Sequence, residues 1–370
     1  TTVLGSICGR ICPHQKQCEG SCVRGIKGNS VSIGEIESYI FDQGIENKYY
    51  EKINKTKELK GRKIAVIGSG PSGLTCSAFL ARKGADVTIY EKQKELGGIL
   101  RYGIPEFRLP KTILDKTISF ILSFGIKVVT QKELGRNLKL ADLQKEYDAI
   151  YLAFGANIPR KMGIPGEELK GVYGGNTLLE KQNHPDYENK RVAIIGGGNV
   201  AMDCARSIKR LGAKQVVVIY RRQEEQMPAE KKEIEEAKQE GVEFLFLHNI
   251  TKILGTNQVE KIECIKTKLI AKEGETRLSP VDIEGSNYTL EMDYVVMAVG
   301  AKVDTNLLES QGLKVSNKKY LEIDENHQIS GTNIFAGGDL VGQNSTVAWA
   351  ARDGRECAKK IEEYLSVRRI

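Results

Sequence analysis

The sequence predicts an α/β fold made of two Rossmann-like dinucleotide-binding domains, one inserted in the other, preceded by a small α-helical segment. Three observations on the 370-residue chain predict it. Two glycine-rich fingerprints each lie between a short apolar strand and a helix of small residues. A strand phrase ending in Ala-x-Gly-Ala follows each fingerprint, and half of the eight cysteines crowd together by Cys22.

Residues 1–57 form the helical segment. Cys8, Cys12, Cys18 and Cys22 are spaced C-x3-C-x5-C-x3-C, with Pro13 after the second. Disulfides suit small secreted domains, and zinc favours close cysteine pairs split by a longer loop. Tight thiolate spacing with a Cys-Pro step favours an iron–sulfur centre, with zinc and disulfides as the alternatives. Cys76, Cys204, Cys264 and Cys357 stand alone in apolar surroundings and read as small core residues. Residues 31–57 read as helix and linker, and the lysine-rich stretch from Lys52 to Lys63 marks a boundary.

The first part of the outer domain spans 58–160. Its strand from Lys63 to Ile67 runs into Gly68-Ser69-Gly70-Pro71-Ser72-Gly73. Glycines close such a turn and let backbone approach a pyrophosphate at a helix N-terminus, where unpaired N–H groups point at the anion. After the strand from Asp86 to Tyr90 come Glu91 and Lys92. Glu91 lies at the distance expected of a carboxylate that accepts the adenosine ribose hydroxyls, which suits FAD or NAD.

The inserted domain spans 161–303. Arg191 to Ile195 leads into Gly196-Gly197-Gly198-Asn199-Val200-Ala201, and the strand from Gln215 to Tyr220 ends in Arg221 and Arg222. Guanidinium groups at that place fork onto a ribose 2′-phosphate, which suits NADPH. The repeated strand phrases are Ala149 to Ala156, with Gly155, and Tyr294 to Ala301, with Gly300. Their small residues let the chain pass close to a cofactor on leaving each unit.

Residues 304–370 complete the outer domain. Ile334-Phe335-Ala336 leads into Gly337-Gly338-Asp339, and a helix begins near Thr346 and Val347. The carboxylate can accept ribityl hydroxyls, and the helix N-terminus can stabilise negative charge on a reduced flavin.

Composition narrows the chemistry. The +7 charge comes from 55 basic and 48 acidic residues without the aromatic interleaving of a nucleic-acid surface. No apolar run nears the ~20 residues of a membrane span, and no signal sequence opens the chain. A soluble, cytoplasmic protein with no nucleic-acid or membrane partner is expected. Neither nucleotide domain carries a dithiol motif. His14, His184, His248 and His327 are scattered and read as surface or loop residues. No catalytic residue is assigned, because hydride transfer from nicotinamide to flavin needs stacked rings in register rather than a protein nucleophile. The cysteine segment is then the exit for single electrons.

The phrases Cys8 to Pro13, Gln17 to Cys22, Gly97-Gly98-Ile99 through Arg108 to Pro110, and Tyr220-Arg221-Arg222 bring a family into view. Over essentially its whole length the chain resembles the glutamate synthase small subunit. The same module looks like the N-terminal half of dihydropyrimidine dehydrogenase and the large subunit of NADH-dependent ferredoxin:NADP oxidoreductase. The resemblance implies NADPH, FAD and 4Fe-4S clusters as cofactors and an electron-accepting partner, foremost the large glutamate synthase subunit. That subunit makes glutamate from glutamine and 2-oxoglutarate. It implies Cys12, Cys18, Cys22 and Glu37 as cluster ligands, with Cys8 left out, and Arg108, Gly338 and Asp339 as FAD contacts. Gly98 and Ile99 join that set. Relatives carry a further upstream cysteine group, whereas this chain opens at Thr1, so incomplete or absent clusters are expected of the chain as it stands. The alternatives are the ferredoxin:NADP oxidoreductase large subunit and a zinc-stapled nucleotide sensor without turnover.

Overall fold

The computed structural model describes residues 2–181, 183–271, 278–342 and 344–367. These fall into two compact units, one built from Thr1–Ala156 with Val303–Ile370 and the other from Asn157–Lys302.

The first unit opens with α1 (Gly5–Ile11) and α2 (Ile33–Glu46), followed by β1 (Lys63–Ile67), α3 (Pro71–Arg82), β2 (Asp86–Tyr90), α4 (Ile99–Tyr102), α5 (Lys111–Leu122), β3 (Lys127–Val129), α6 (Leu140–Glu146) and β4 (Ala149–Leu152). Short runs of β-branched and aliphatic residues make β1 and β4 buried strands. Pro71 starts α3 because its missing N–H is one of those a helix N-terminus cannot pair anyway. α1 is buried almost throughout. Its Ile7, Cys8 and Ile11 join Leu114, Ile118 and Ile121 in the same core as β1 and α3. The stretch 1–57 thus packs as part of the first unit rather than standing apart from it.

The second unit contains β5 (Ile158–Pro159), β6 (Val172–Gly174), α7 (Gly175–Lys181), β7 (Arg191–Ile195), α8 (Asn199–Arg210), β8 (Gln215–Tyr220), α9 (Lys231–Gln239) and β9 (Glu243–Phe246). An antiparallel sheet follows, from β10 (His248–Leu254), β11 (Lys261–Ile270), β12 (Ser279–Asp282) and β13 (Tyr288–Glu291), before β14 (Tyr294–Met297) and β15 (Ala301–Lys302). The chain returns to the first unit with α10 (Thr305–Ser310), β16 (Ile334–Ala336) and α11 (Val347–Val367).

Each unit is organised around a five-stranded parallel sheet. The orders are β16-β4-β1-β2-β3 and β6-β14-β7-β8-β9, so the fingerprint strand is central in both. The strand order reverses beside it, between β1 and β4 and between β7 and β14. A crevice at the carboxyl ends of strands at such a switch point is where open α/β sheets bind ligands. The two repeated phrases occupy equivalent places, because β4 and β14 are the strands paired in parallel with β1 and β7. The antiparallel sheet of the second unit was not foreseen from the sequence. Its strands alternate without a glycine fingerprint to announce them, and β11 owes its length to pairing with β10, β12 and β13.

In the second unit Arg206 of α8 is buried, with 4% of its side chain exposed, and its guanidinium meets Glu233, Glu236 and Glu240. Burial disfavours the Glu240 carboxylate, but hydrogen bonds from Arg210 and Arg206 outweigh it and hold the group below the usual 4.5. Arg206→Met leaves three carboxylates facing a gap in their charge, so we expect a loss of about 3 kcal/mol at pH 7. A depressed carboxyl contributes stability that is present above its ordinary value and is lost as pH falls through the folded one. The difference between variant and wild type therefore shrinks below about pH 4. Urea titrations followed by circular dichroism at the two pH values check both points, and a pH-independent difference contradicts the assignment to Glu240.

Candidate functional site

At the end of β1 the chain turns tightly. Gly68 has φ +102°, and a Cβ there would lie 2.6 Å from the Ala153 carbonyl oxygen. Gly196, at φ +140°, meets the Ala298 carbonyl in the same way in the second unit. Gly70 caps α3, with Pro71, Ser72 and Gly73 forming its first turn, and a Cβ on Gly70 would meet no protein atom within 4 Å. Open space over a helix N-terminus is what a pyrophosphate requires.

Glu91 follows β2 and is 4% exposed. Its Oε2 accepts from the Ser69 N–H at 3.0 Å and the Ser69 hydroxyl at 2.5 Å, while Oε1 accepts from the Gln93 N–H at 2.9 Å. Lys92 beside it is exposed. Gly98 caps α4, which begins at Ile99, and Arg108 is half-buried. Gly155, at φ +72°, stands three residues past the end of β4.

At the other end of the chain the Gly338 N–H donates to Asp353 Oδ2 at 3.0 Å. Burial pushes the Asp339 carboxyl up from its ordinary value, opposed by a hydrogen bond with Ser345. Asp353 is likewise raised by burial, against the Gly338 N–H. The Thr346 hydroxyl accepts from the Trp349 N–H at 3.3 Å and from the Gln17 side-chain amide at 3.2 Å, and Val347 opens α11. The first unit therefore gathers Gly68, Gly70, Glu91 and Asp339 around elements far apart in sequence. A dinucleotide fits their chemistry: open phosphate space, a buried carboxylate at a strand end, and a second carboxylate beside a helix N-terminus.

In the second unit Gly198 caps α8, and Val200 lies in its first turn. Asn199 Oδ1 accepts from the Glu230 N–H at 3.0 Å, tying the fingerprint to the loop after β8. Arg221 is exposed and Arg222 half-buried. The Arg222 Nε donates to the Leu278 carbonyl at 3.2 Å, and the Thr267 hydroxyl donates to the Arg221 carbonyl at 2.9 Å. The unforeseen antiparallel sheet thus anchors the arginine pair. Gly300, at φ +99°, follows β14.

The cysteine segment builds a third site, within the first unit. A cavity of about 240 Å³ is lined by Cys8, Cys12, His14, Cys18 and Glu37 on one side. On the other stand Thr75 of α3 and Ala348, Ala351, Arg352 and Arg355 of α11. His14 Nδ1 is 3.5 Å from Cys18 Sγ, so this histidine belongs to the cysteine cluster rather than being the surface or loop residue the sequence suggested. Contact with Cys12 and burial raise the Cys8 thiol, burial raises Cys18, and burial raises Glu37 against the pull of His14. Cys22 lies outside this lining and is half-exposed, its thiol lowered by backbone hydrogen bonds from Val31, Arg24 and Gly25. Cys12, Cys18 and Glu37 are brought together; Cys22 is not, and Cys8 takes a place beside them. Thiols with one carboxylate suit an iron–sulfur centre in kind. Among the described residues no three His, Cys, Asp or Glu side chains already converge as a metal site. The isolated Cys76, Cys204, Cys264 and Cys357 are all buried.

Two family models match the chain. The family described as pyridine nucleotide-disulphide oxidoreductase matches residues 62–354, and that described as dihydropyrimidine dehydrogenase domain II, 4Fe-4S cluster, matches residues 1–49. The chain is 34% identical over 384 residues to the glutamate synthase [NADPH] small chain of Halomonas elongata, covering 99% of this chain and 81% of that one. It is 34% identical over 393 residues to its Escherichia coli counterpart, covering 99% and 82%. In fold it is similar to Mycobacterium tuberculosis FprA in complex with NADPH, with a TM-score of 0.72 at 21% identity over 83% of this chain and 85% of that one.

Exposure orders the thiols. In reduced, metal-free protein, alkylation followed by mass spectrometry is expected to modify Cys22 first, and to leave Cys76, Cys204, Cys264 and Cys357 unmodified until the protein unfolds. Rapid labelling of Cys8 ahead of Cys22 would contradict the burial of α1.

Proposed function

The chain belongs to the pyridine nucleotide-disulphide oxidoreductase family and, at full length, to that of the glutamate synthase small chains; from this premise we propose that it moves electrons from NADPH through FAD to iron–sulfur centres and on to a large partner subunit. One observation carries the reading. The cavity holding Cys12, Cys18 and Glu37 shares its wall with α3 and α11, the two helices whose N-termini serve the flavin site.

When bound, FAD takes two electrons as hydride and gives them up singly, and iron–sulfur clusters carry one electron each. This chain's residues hold and orient those groups. The Gly68, Gly70 and Gly73 turn and the N-terminus of α3 receive the FAD pyrophosphate, Glu91 with Lys92 beside it receives the adenosine ribose, and Asp339 with Gly338 receives the ribityl chain. Gly98, Ile99, Arg108, Gly155, Thr346 and Val347 line the flavin. In the second unit Gly196, Gly198, Asn199, Val200 and Gly300 surround the NADPH, and Arg221 and Arg222 meet its 2′-phosphate. Cys12, Cys18 and Glu37 ligate one cluster, and Cys22, outside their cavity, serves another. The partner is the large subunit of a glutamate synthase, which turns these electrons to glutamate formation from glutamine and 2-oxoglutarate.

The protein is expected to bind one FAD without a covalent bond, and Asp339→Ala to lose it on dialysis against a chaotrope that the wild type survives. Release of FMN instead of FAD contradicts the role of Glu91. The wild type is expected to reduce ferricyanide with NADPH in preference to NADH. Each charge-assisted contact with the 2′-phosphate contributes about 1.5–3 kcal/mol, so the Arg221→Ala/Arg222→Ala double variant should lose at least about tenfold of that preference. Steady-state kinetics with both nucleotides decide, and unchanged discrimination in the variant leaves the arginines as a solvated pair. The partner is tested by co-purification with a glutamate synthase large subunit, whose failure leaves the flavin reading intact and sends the search to another acceptor.

A further inference from the structure

The fingerprint contains one residue whose side chain is completely buried, polar and bonded at both ends. Ser69 is 0% exposed. Its hydroxyl donates to Glu91 Oε2 at 2.5 Å and accepts from the Gly97 N–H at 3.0 Å, while its own N–H also donates to Glu91 Oε2. One hydroxyl therefore joins three separate pieces of the first unit: the turn after β1, the carboxylate after β2, and the loop that caps α4. The glycines around it have no side chain with which to do this.

We propose that Ser69 is a positioning residue for the dinucleotide, fixing the rotamer of Glu91 at the adenosine end of the site. The proposal rests on the reading of the first unit as the flavin site. Glu91 has two oxygens, each with two lone-pair directions. Ser69 donates twice to Oε2 and Gln93 once to Oε1, so three of the four directions face the protein and keep the carboxylate aimed, and the one left on Oε1 can accept a ribose hydroxyl without the carboxylate having to be ordered on binding. Removing the hydroxyl takes one donor from Glu91 Oε2 and leaves the Ser69 and Gln93 N–H groups to aim the carboxylate. The effect is confined to the adenosine end of the ligand, because Ser69 touches nothing on the Asp339 side of the site among its recorded hydrogen bonds.

The test uses deflavinated full-length protein titrated with FAD and with FMN, which lacks the adenosine ribose, and follows flavin fluorescence. Ser69→Ala is expected to weaken FAD binding about tenfold, the size of one hydrogen bond to a charged group, and to leave FMN binding unchanged. Glu91→Gln should weaken FAD as well, and the double variant should lose no more than Glu91→Gln alone, because Ser69 acts through Glu91. Should Ser69→Ala fail to fold, Ser69→Cys, which keeps the volume and a weak S–H donor, is expected to give an intermediate loss for FAD alone. Wild-type FAD affinity in the serine variants, an equal loss for FAD and FMN, or additive losses in the double variant would each overturn the role of Ser69. If Glu91→Gln also binds FAD normally, the flavin reading of the first unit falls together with the proposal.

Discussion

The first unit depends on how closely α3 and α11 approach. A Cβ at Gly354 would run into the Ser72 carbonyl, and the Ser72 hydroxyl is 2.6 Å from the Tyr151 hydroxyl at the end of β4. One residue before Gly354, Asp353 holds the Gly338 N–H. This single contact unites α3, the strand beside it, and the loop that carries Asp339. Because helices pack at a distance set by the residues between them, a stripe of Ser72, Cys76, Gly354 and Cys357 brings the axes nearer than leucines would allow. The same pair of helices forms the far wall of the cysteine cavity. A larger side chain at Gly354 would therefore disturb three sites together.

Tyr151 with Ser72 and Asp353 with the Gly338 N–H are partnered polar groups at this contact. The Tyr151 hydroxyl is fully buried, and burial raises it well above its ordinary value, while its bond to Ser72 satisfies it. Asp353 and Asp339 are both raised by burial, yet each has a hydrogen bond favouring its charged form. Arg206 in the second unit is the contrasting case. Its three carboxylates already complete its surroundings, and it stabilises the packing of α8 on α9 without facing the nucleotide crevice.

The two units share one plan and differ where their ligands differ. Both place a glycine turn at the end of the central strand, and both answer it with a small-residue strand on the far side of the topological switch. The next strand ends in a buried carboxylate in one unit and in an arginine pair in the other. Exposure differs between them: Glu91 is buried, whereas Arg221 is exposed.

Much of this was legible in the chain itself. Glycine spacing, the buried strands of β-branched residues and the charge at each second strand end are local signals, since a tight turn, a phosphate and a ribose each constrain a few consecutive residues. They determined two nucleotide-binding folds, and the cysteine spacing marked a third candidate site. Tertiary structure decided which of those cysteines share a cavity. Cys8, Cys12 and Cys18 line it with Glu37 and His14, while Cys22, only four residues past Cys18, is not among its lining, a placement that spacing alone does not encode. It also decided that Ser69 would bind Glu91, that Gln17 would reach Thr346, and that Asp353 would hold Gly338. Each of those contacts joins residues distant in sequence through packing, and packing depends on every residue in the core at once.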